Sequence, residues 1–170
     1  MRADVAGIGK GKERGFFLIE AMVAILIFAL GILGLVAMGS TAVASQSDAQ
    51  YRTQAGSLAD SIASEIALNI NRATDATKAA SLLAFSHQPA GVPTGAGCAF
   101  AGGVTAVPSV TALLAQAIAP GPTALPGATA TDQQIVVDPA GNFNRVTITL
   151  CWRAPSDTAW RHHTLVTYVN

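Results

Sequence analysis

One carboxylate, Glu20, stands at the head of a long apolar run. The residues before it, 15–19, read GFFLI, and residues 21–39 carry neither a charge nor a proline. About 18 such residues are enough to cross the roughly 30 Å hydrocarbon core of a bilayer as a helix. An acidic side chain at that depth is costly, and acids within membranes usually have a function. We therefore interpret Glu20 as a functional residue at the start of a membrane helix.

The residues ahead of Gly15 favour an N-terminus on the cytoplasmic side of that membrane. Their charged side chains are Arg2, Lys10, Lys12 and Arg14 against Asp4 and Glu13. A basic flank of this kind is retained in the cytoplasm. A secretory signal peptide would instead end in a small-residue cleavage site after its apolar run. A plain signal anchor, or a signal peptide cut near residues 42–44, remains an alternative, although neither explains Glu20.

Gly15, Phe16 and Glu20 together resemble the processing motif of the type IV prepilins. In that family a leader ends in a glycine, and prepilin peptidase cuts after it on the cytoplasmic side. The next residue, usually Phe, becomes an N-methylated amino terminus, and the fifth mature residue is usually Glu. The resemblance implies cleavage between Gly15 and Phe16 with methylation of Phe16. It also implies that Glu20 pairs with the terminal amino group of a neighbouring subunit in a filament.

A finer likeness is to the PilV group of minor pilins, the type IV pilus modification proteins. It is carried by LIE at residues 18–20, by GILGL at 31–35 and by the polar continuation, and it extends to about Ile70. It implies a structural subunit that promotes assembly or initiation of the pilus. The implied partners are prepilin peptidase, the major pilin, other minor pilins and inner-membrane lipid, with no cofactor, metal or nucleic acid required. The implied location is the inner membrane, with a periplasmic C-terminal domain, and then the pilus at the cell surface.

Two other functions are compatible with the same N-terminal processing motif or with the same membrane anchor. A minor pseudopilin of a type II secretion system would differ in its partners and not in its physics. A membrane-tethered adhesin or DNA-binding module would use the helix only as an anchor. The sequence also leaves open whether the filament serves adhesion, twitching motility or DNA uptake.

Composition and cysteine content limit the part of the chain that follows the apolar run. Lys and Arg balance Asp and Glu at ten each, which argues against broad non-specific binding of nucleic acid. Charged residues make up only 12%, as expected for a surface covered by other subunits or for a loop-rich one. Outside the cytoplasm Cys98 and Cys151 would form a disulfide, and the alternative is two unpaired buried thiols.

The helix is expected to continue beyond the membrane segment, over residues 16–70. The segment from Ser40 to Asn69 contains no proline, and its apolar side chains recur at helical spacing. They form one stripe of Leu58, Ile62, Ile66 and Ile70, beside a second stripe of Ala55, Ala59, Ala63 and Ala67. This pattern predicts an amphipathic helix with its apolar face turned to a core.

The remaining residues predict an α+β domain of the pilin type, in which the long helix packs on a small C-terminal antiparallel sheet. The predicted segments are a helix at 74–85, an irregular loop at 87–105, a helix at 108–119 with Ser109 as a possible cap, and strands at 134–137, 143–153 and 160–169, with a turn at 138–142. The predicted organisation is a leader (1–15), a transmembrane or filament-core helix (16–39), the soluble half of the spine helix (40–72) and a globular domain (73–170).

No residue pattern in this domain predicts catalysis, and we expect the protein not to be an enzyme. His162 and His163 are adjacent, so in a strand they point to opposite faces and do not readily share a metal. The GIGKGK stretch at residues 7–12 lacks the spacing and the context of a phosphate-binding loop. Trp152 and Trp160 are expected to be core or strand-pair residues.

Overall fold

The computed structural model describes residues 14–139, 143–155 and 157–170, without the side chains of residues 14 and 15. The predicted leader therefore lies almost wholly outside the described residues. The fold is α+β, with the elements α1 (Arg14–Asn69), α2 (Asp75–Leu83), α3 (Pro108–Ile118), β1 (Gln133–Asp138), β2 (Arg145–Trp152) and β3 (Arg161–Tyr168). The chain divides into two compact units, one ending at Gln46 and the other running from Ser47 to Asn170.

The core of the second unit forms where the predicted stripe of α1 meets the sheet. The stripe residues Leu58, Ile62, Ile66 and Ile70 are buried together with Ile135, Val146, Ile148 and Leu150 in one apolar cluster. Alternate residues of β2 point to the same face, so this strand contributes an unbroken apolar row. The predicted packing of the sheet on the α1 stripe is confirmed.

The two short helices begin at the signals that the sequence contains, with one exception. Thr74 caps α2, and its hydroxyl accepts a hydrogen bond from the backbone N–H of Thr77 at 3.1 Å. In α3, Pro108 occupies the first helical position and Val107 is the N-cap, without a side-chain cap bond. The expectation that Ser109 caps α3 is wrong, because the proline has already started the helix and places Ser109 inside its first turn.

The sheet has the strand order β1-β2-β3, and both neighbouring pairs are antiparallel. The second strand begins later than predicted, because Phe143 and Asn144 adopt φ angles of 53° and 55° and belong to the turn. Such left-handed angles are incompatible with a strand. The predicted turn at 138–142 lies partly outside the described residues.

A loop carrying Cys98 covers the face of β2 that points away from α1. Cys98 and Cys151 form a disulfide, and both are buried with Phe100 against Trp160. Thr149, on the same face of β2, is also buried. The predicted disulfide is therefore present, and β2 is covered on both faces.

We expect removal of the disulfide to destabilise the second unit. The bond links residues 53 positions apart. The chain-entropy estimate for a loop of that size is about 4 kcal/mol as an upper value. The paired substitution Cys98→Ser with Cys151→Ser should lower the urea midpoint of the full chain in detergent. Proteolysis should then begin within residues 87–105, where the loop has lost its covalent tie.

The matched control is Ser86→Ala, which changes a hydroxyl in the same region without touching the cross-link. An unchanged midpoint in the cysteine-free variant, with the loop still resistant to protease, would contradict this account.

Candidate functional site

Gly15, Phe16 and Glu20 all lie in the first two turns of α1. Phe16 and Glu20 are four residues apart, and residues at that spacing lie on the same face of a helix, one turn from each other. Phe16 is 77% exposed, and Glu20 is also exposed. Among the described side chains none neutralises the Glu20 carboxylate. The site is therefore a free carboxylate one helical turn from the residue after Gly15.

The helix around this site is apolar on every side. Its most hydrophobic window has a mean hydropathy of 2.8, and none of that window is buried within the chain. Large apolar side chains are exposed along its length, for example Met22 at 71%, Leu35 at 70% and Met38 at 72%. A helix that is hydrophobic all round belongs in a membrane or in a core made by other helices. This one is long and apolar enough to span a membrane.

Toward the C-terminal end of α1, Glu20 is also far from the next charge in the sequence. No acidic or basic residue lies between Glu20 and Asp48, which pairs with Arg52 at 2.9 Å. The hydroxyls of Ser40 and Thr41 donate to backbone carbonyls of the preceding turn, at 2.8 and 2.9 Å. These polar groups are thus satisfied within the helix, whereas no side chain that the structure describes supplies a cation for Glu20.

The glycines of the apolar stretch leave the helix surface open. A Cβ placed at Gly31, Gly34 or Gly39 would meet no atom within 4 Å beyond its chain neighbours and the backbone of its own helix. Small residues at such positions allow the backbones of two membrane helices to approach closely. These surfaces suit packing against helices of other chains.

The histidines and tryptophans considered as possible functional residues belong to the fold of the second unit. His162 is exposed and His163 is half-buried, with its ring within 4 Å of a Cβ placed at Gly56. Trp152 is buried in the core, and Trp160 lies beneath the Arg153 guanidinium, 5.3 Å from ring centroid to carbon. In the described part of the chain no group of three or more His, Cys, Asp or Glu side chains is placed to hold a metal ion.

His87 has a structural role that its loop position in the sequence did not reveal. Its backbone N–H donates to the carbonyl of Ile135 at 3.0 Å, and its carbonyl accepts from the Ile135 N–H at 2.8 Å. This exchange closes the outer edge of β1. The imidazole is buried, its Nδ1 has no hydrogen-bond partner among the described residues, and burial lowers the pKa of His87 below its ordinary value of 6.5.

The chain matches no protein-family model, no curated protein and no solved structure. Its own residues and their geometry therefore carry the functional interpretation. The features that do so are the exposed Glu20, the apolar helix around it and the disulfide-closed α+β unit that follows.

The buried His87 predicts a loss of stability on acidification. The pKa of its imidazole is below 6.5 in the folded chain and near 6.5 in the unfolded chain, so the unfolded chain takes up the proton first. The His87 contribution is therefore fully present above about pH 6.5 and is lost as the pH falls toward the folded pKa. Urea midpoints measured from pH 8 to pH 5 should fall with pH.

In this series His87→Gln should flatten the pH dependence, whereas His162→Gln, at an exposed position, should leave it unchanged. Equal slopes for the wild type and His87→Gln would contradict the assignment.

Proposed function

We propose that the protein is a minor type IV pilin of the PilV kind, a structural subunit that promotes pilus assembly. The observation that carries this proposal is the exposed Glu20 carboxylate, one turn after Phe16 and directly before a stretch of helix, residues 21–39, that is free of charge and apolar on all sides. A simple anchor has no use for that acid, which raises the cost of insertion. A subunit that meets a cation from its neighbour does have a use for it.

In the proposed mechanism, prepilin peptidase cuts between Gly15 and Phe16 and so creates a new ammonium group at Phe16. Glu20 lies about 6 Å along the helix from that group, at roughly 1.5 Å per residue. When two such helices pack side by side with a small axial offset, the carboxylate of one meets the ammonium of the other. The attraction between the two charges then offsets part of the free-energy cost of removing each from water, and the pair fixes the axial register of the two helices.

The disulfide and the charges of the leader support one orientation in the membrane. Disulfides form and persist outside the cytoplasm, which suits a periplasmic location for the unit from Ser47 to Asn170. The basic residues ahead of Gly15 suit a cytoplasmic leader. The chain would thus span the inner membrane once before it enters a filament at the cell surface.

The proposed role requires no catalysis, cofactor or nucleic acid, and its partners are prepilin peptidase, the major pilin and other minor pilins. A minor pseudopilin of a type II secretion system would use the same helix and the same charge pair. The proteins that co-purify with the full chain distinguish these roles, since other minor pilins indicate the pilus and secretion-system components indicate the pseudopilus.

We expect a bulky residue at Gly15 to block processing. Gly15→Leu should leave the uncut precursor in the inner membrane, because a branched side chain at the scissile position obstructs the peptidase. Mass spectrometry of the wild type should show a mature chain that starts at Phe16 and carries one methyl group. Gly39→Ala is the matched control and should be cut normally. A mature chain that starts at any other residue would disprove the processing step.

We expect neutralisation of Glu20 to prevent assembly without preventing cleavage. Glu20→Gln keeps the shape of the side chain but removes the charge, so the neighbouring ammonium stays unpaired in an apolar core. Loss of one partner of a buried ion pair costs roughly 3–5 kcal/mol. Because of this cost, the ratio of this chain in sheared filaments to this chain in membranes should fall at least tenfold.

Glu65→Gln, on the same helix in the second unit, is the matched control and should be incorporated normally. If Glu20→Gln enters filaments as well as the wild type, the charge pair proposed for Glu20 is excluded. If the wild type itself is absent from sheared filaments, the helix acts only as an anchor and the pilin role is excluded.

A further inference from the structure

In the part of the chain that the structure describes, no strand pairs with the outer edge of β3. Within the described residues β3 pairs only with β2, in a register that runs without interruption from Arg161 to Tyr168. The opposite edge of the sheet is occupied at its centre, because His87 exchanges two backbone hydrogen bonds with Ile135 of β1. The sheet therefore has one closed edge and one open edge.

The hydrogen-bond pattern shows which residues of β3 face outward. Val169 donates its N–H to the carbonyl of Asn144, which identifies these two residues as a hydrogen-bonded pair. In an antiparallel ladder such pairs alternate with pairs that are not bonded to each other. The backbone groups that point away from β2 are consequently those of His162, Thr164, Val166 and Tyr168.

This edge lacks the usual protection against pairing with another chain. Natural edge strands are shielded by lysine, proline, bulges or a covering segment. The strand β3 reads RHHTLVTY, with no lysine or proline, and its register contains no bulge. Its one strong cation, Arg161, lies at the start of the strand and pairs with Asp157. Val166 and Tyr168 are 49% and 55% exposed, and residues of these types favour pairing with a further strand.

A groove runs beside the open edge, between β3 and α1. It has a volume of about 400 Å³ and is lined by Asp60, Ala63, Ser64 and Ala67 of α1 and by residues 165–167 of β3. The helix side carries only short side chains, so a side chain of medium size fits above Ala63 and Ala67. Asp60 provides the only charge of the groove, and no described group pairs with its carboxylate.

We propose that this edge and groove bind an extended segment of a partner protein by strand addition. The partner's backbone would pair with the outward groups of β3, while alternate side chains would enter the groove. An open edge strand beside a helix, with pockets for alternate side chains, is the arrangement that such recognition uses. The charge of Asp60 selects a lysine or arginine near one end of the segment, and the alanines select an apolar residue two positions away.

A second copy of β3 matches this chemistry less well. The helix α1 runs alongside β3 in the same direction, since Gly56 lies beside His163 and the Arg72 Nε donates to the carbonyl of Asn170 at 3.2 Å. Suppose that β3 of a second copy pairs antiparallel with β3 and that all outward residues of both strands take part. Thr164 of one copy then lies opposite Val166 of the other, and Arg161 of the second copy lies opposite Val169. Arg161, the only strong cation of the second copy's β3, therefore lies at the end of the first β3 that is distant from Asp60.

The inference does not rest on the pilin role, because it depends only on the second unit. The test measures fluorescence anisotropy of labelled peptides with the purified full chain in detergent. The probe is a capped ten-residue peptide of alternating Thr and Val with one Lys, and saturable binding is expected. Val166→Pro removes one outward N–H and leaves the bonds to β2 in place, so it should weaken binding at least tenfold.

Charge reversal tests the groove independently of the edge. Asp60→Lys should weaken binding of the Lys peptide, and a peptide with Glu in place of Lys should restore it. Val166→Thr, which keeps the N–H, and Asp75→Lys, which reverses an exposed acid on α2, are matched controls and should bind within twofold of the wild type.

Near-UV circular dichroism and the urea midpoint establish that each variant is folded. If Val166→Pro does not fold, Ala63→Phe fills the groove from α1 and should give the same loss of binding. The inference is overturned if the wild type does not bind the peptide, or if neither Val166→Pro nor Ala63→Phe weakens binding. A dimer seen by light scattering that Val166→Pro dissociates would identify a second copy as the occupant and would also overturn it.

Discussion

The packing of one stripe of α1 on β2 determines the architecture of the second unit. Ile62 and Ile66 on the helix and Ile148 and Leu150 on the strand are each fully buried. Burial of one such side chain contributes about 1.5–3 kcal/mol, so these four outweigh any exposed ion pair in the molecule. β2 also pairs with a strand on each side and so lies at the centre of the sheet. Its outer face is covered by the segment that carries Cys98.

The elements of this core were predictable because both periodicities are local. Apolar residues at every fourth position identify the buried face of α1, and alternate apolar residues identify the buried face of β2. The fold class and the long helix packed on the sheet followed from these signals, and the disulfide followed from the presence of two cysteines in a domain expected outside the cytoplasm. The errors were local too. The N-cap of α3 is Val107 and not Ser109 as predicted, and Phe143 and Asn144 belong to a turn that the alternation of apolar residues does not reveal.

The two candidate sites differ in how far the sequence could identify them. Gly15, Phe16 and Glu20 are close in sequence and share the start of one helix, so their spacing alone placed them together. The open edge of β3 and the closed edge of β1 arise from contacts between distant segments. The pairing of His87 with Ile135 joins residues almost fifty positions apart, and no sequence signal marks it. The groove beside β3 likewise requires the position of α1 relative to the strand.

The unequal edges of the sheet limit how many strands can be recruited. A chain with two open edges could stack on further copies of itself in an endless ribbon, since head-to-tail contacts that do not close give fibres. Here the central outward residue of β1 already has its hydrogen bonds to His87. Copies of this chain therefore meet an obstacle to joining edge to edge through β1 and β3, and strand addition is directed to the β3 edge.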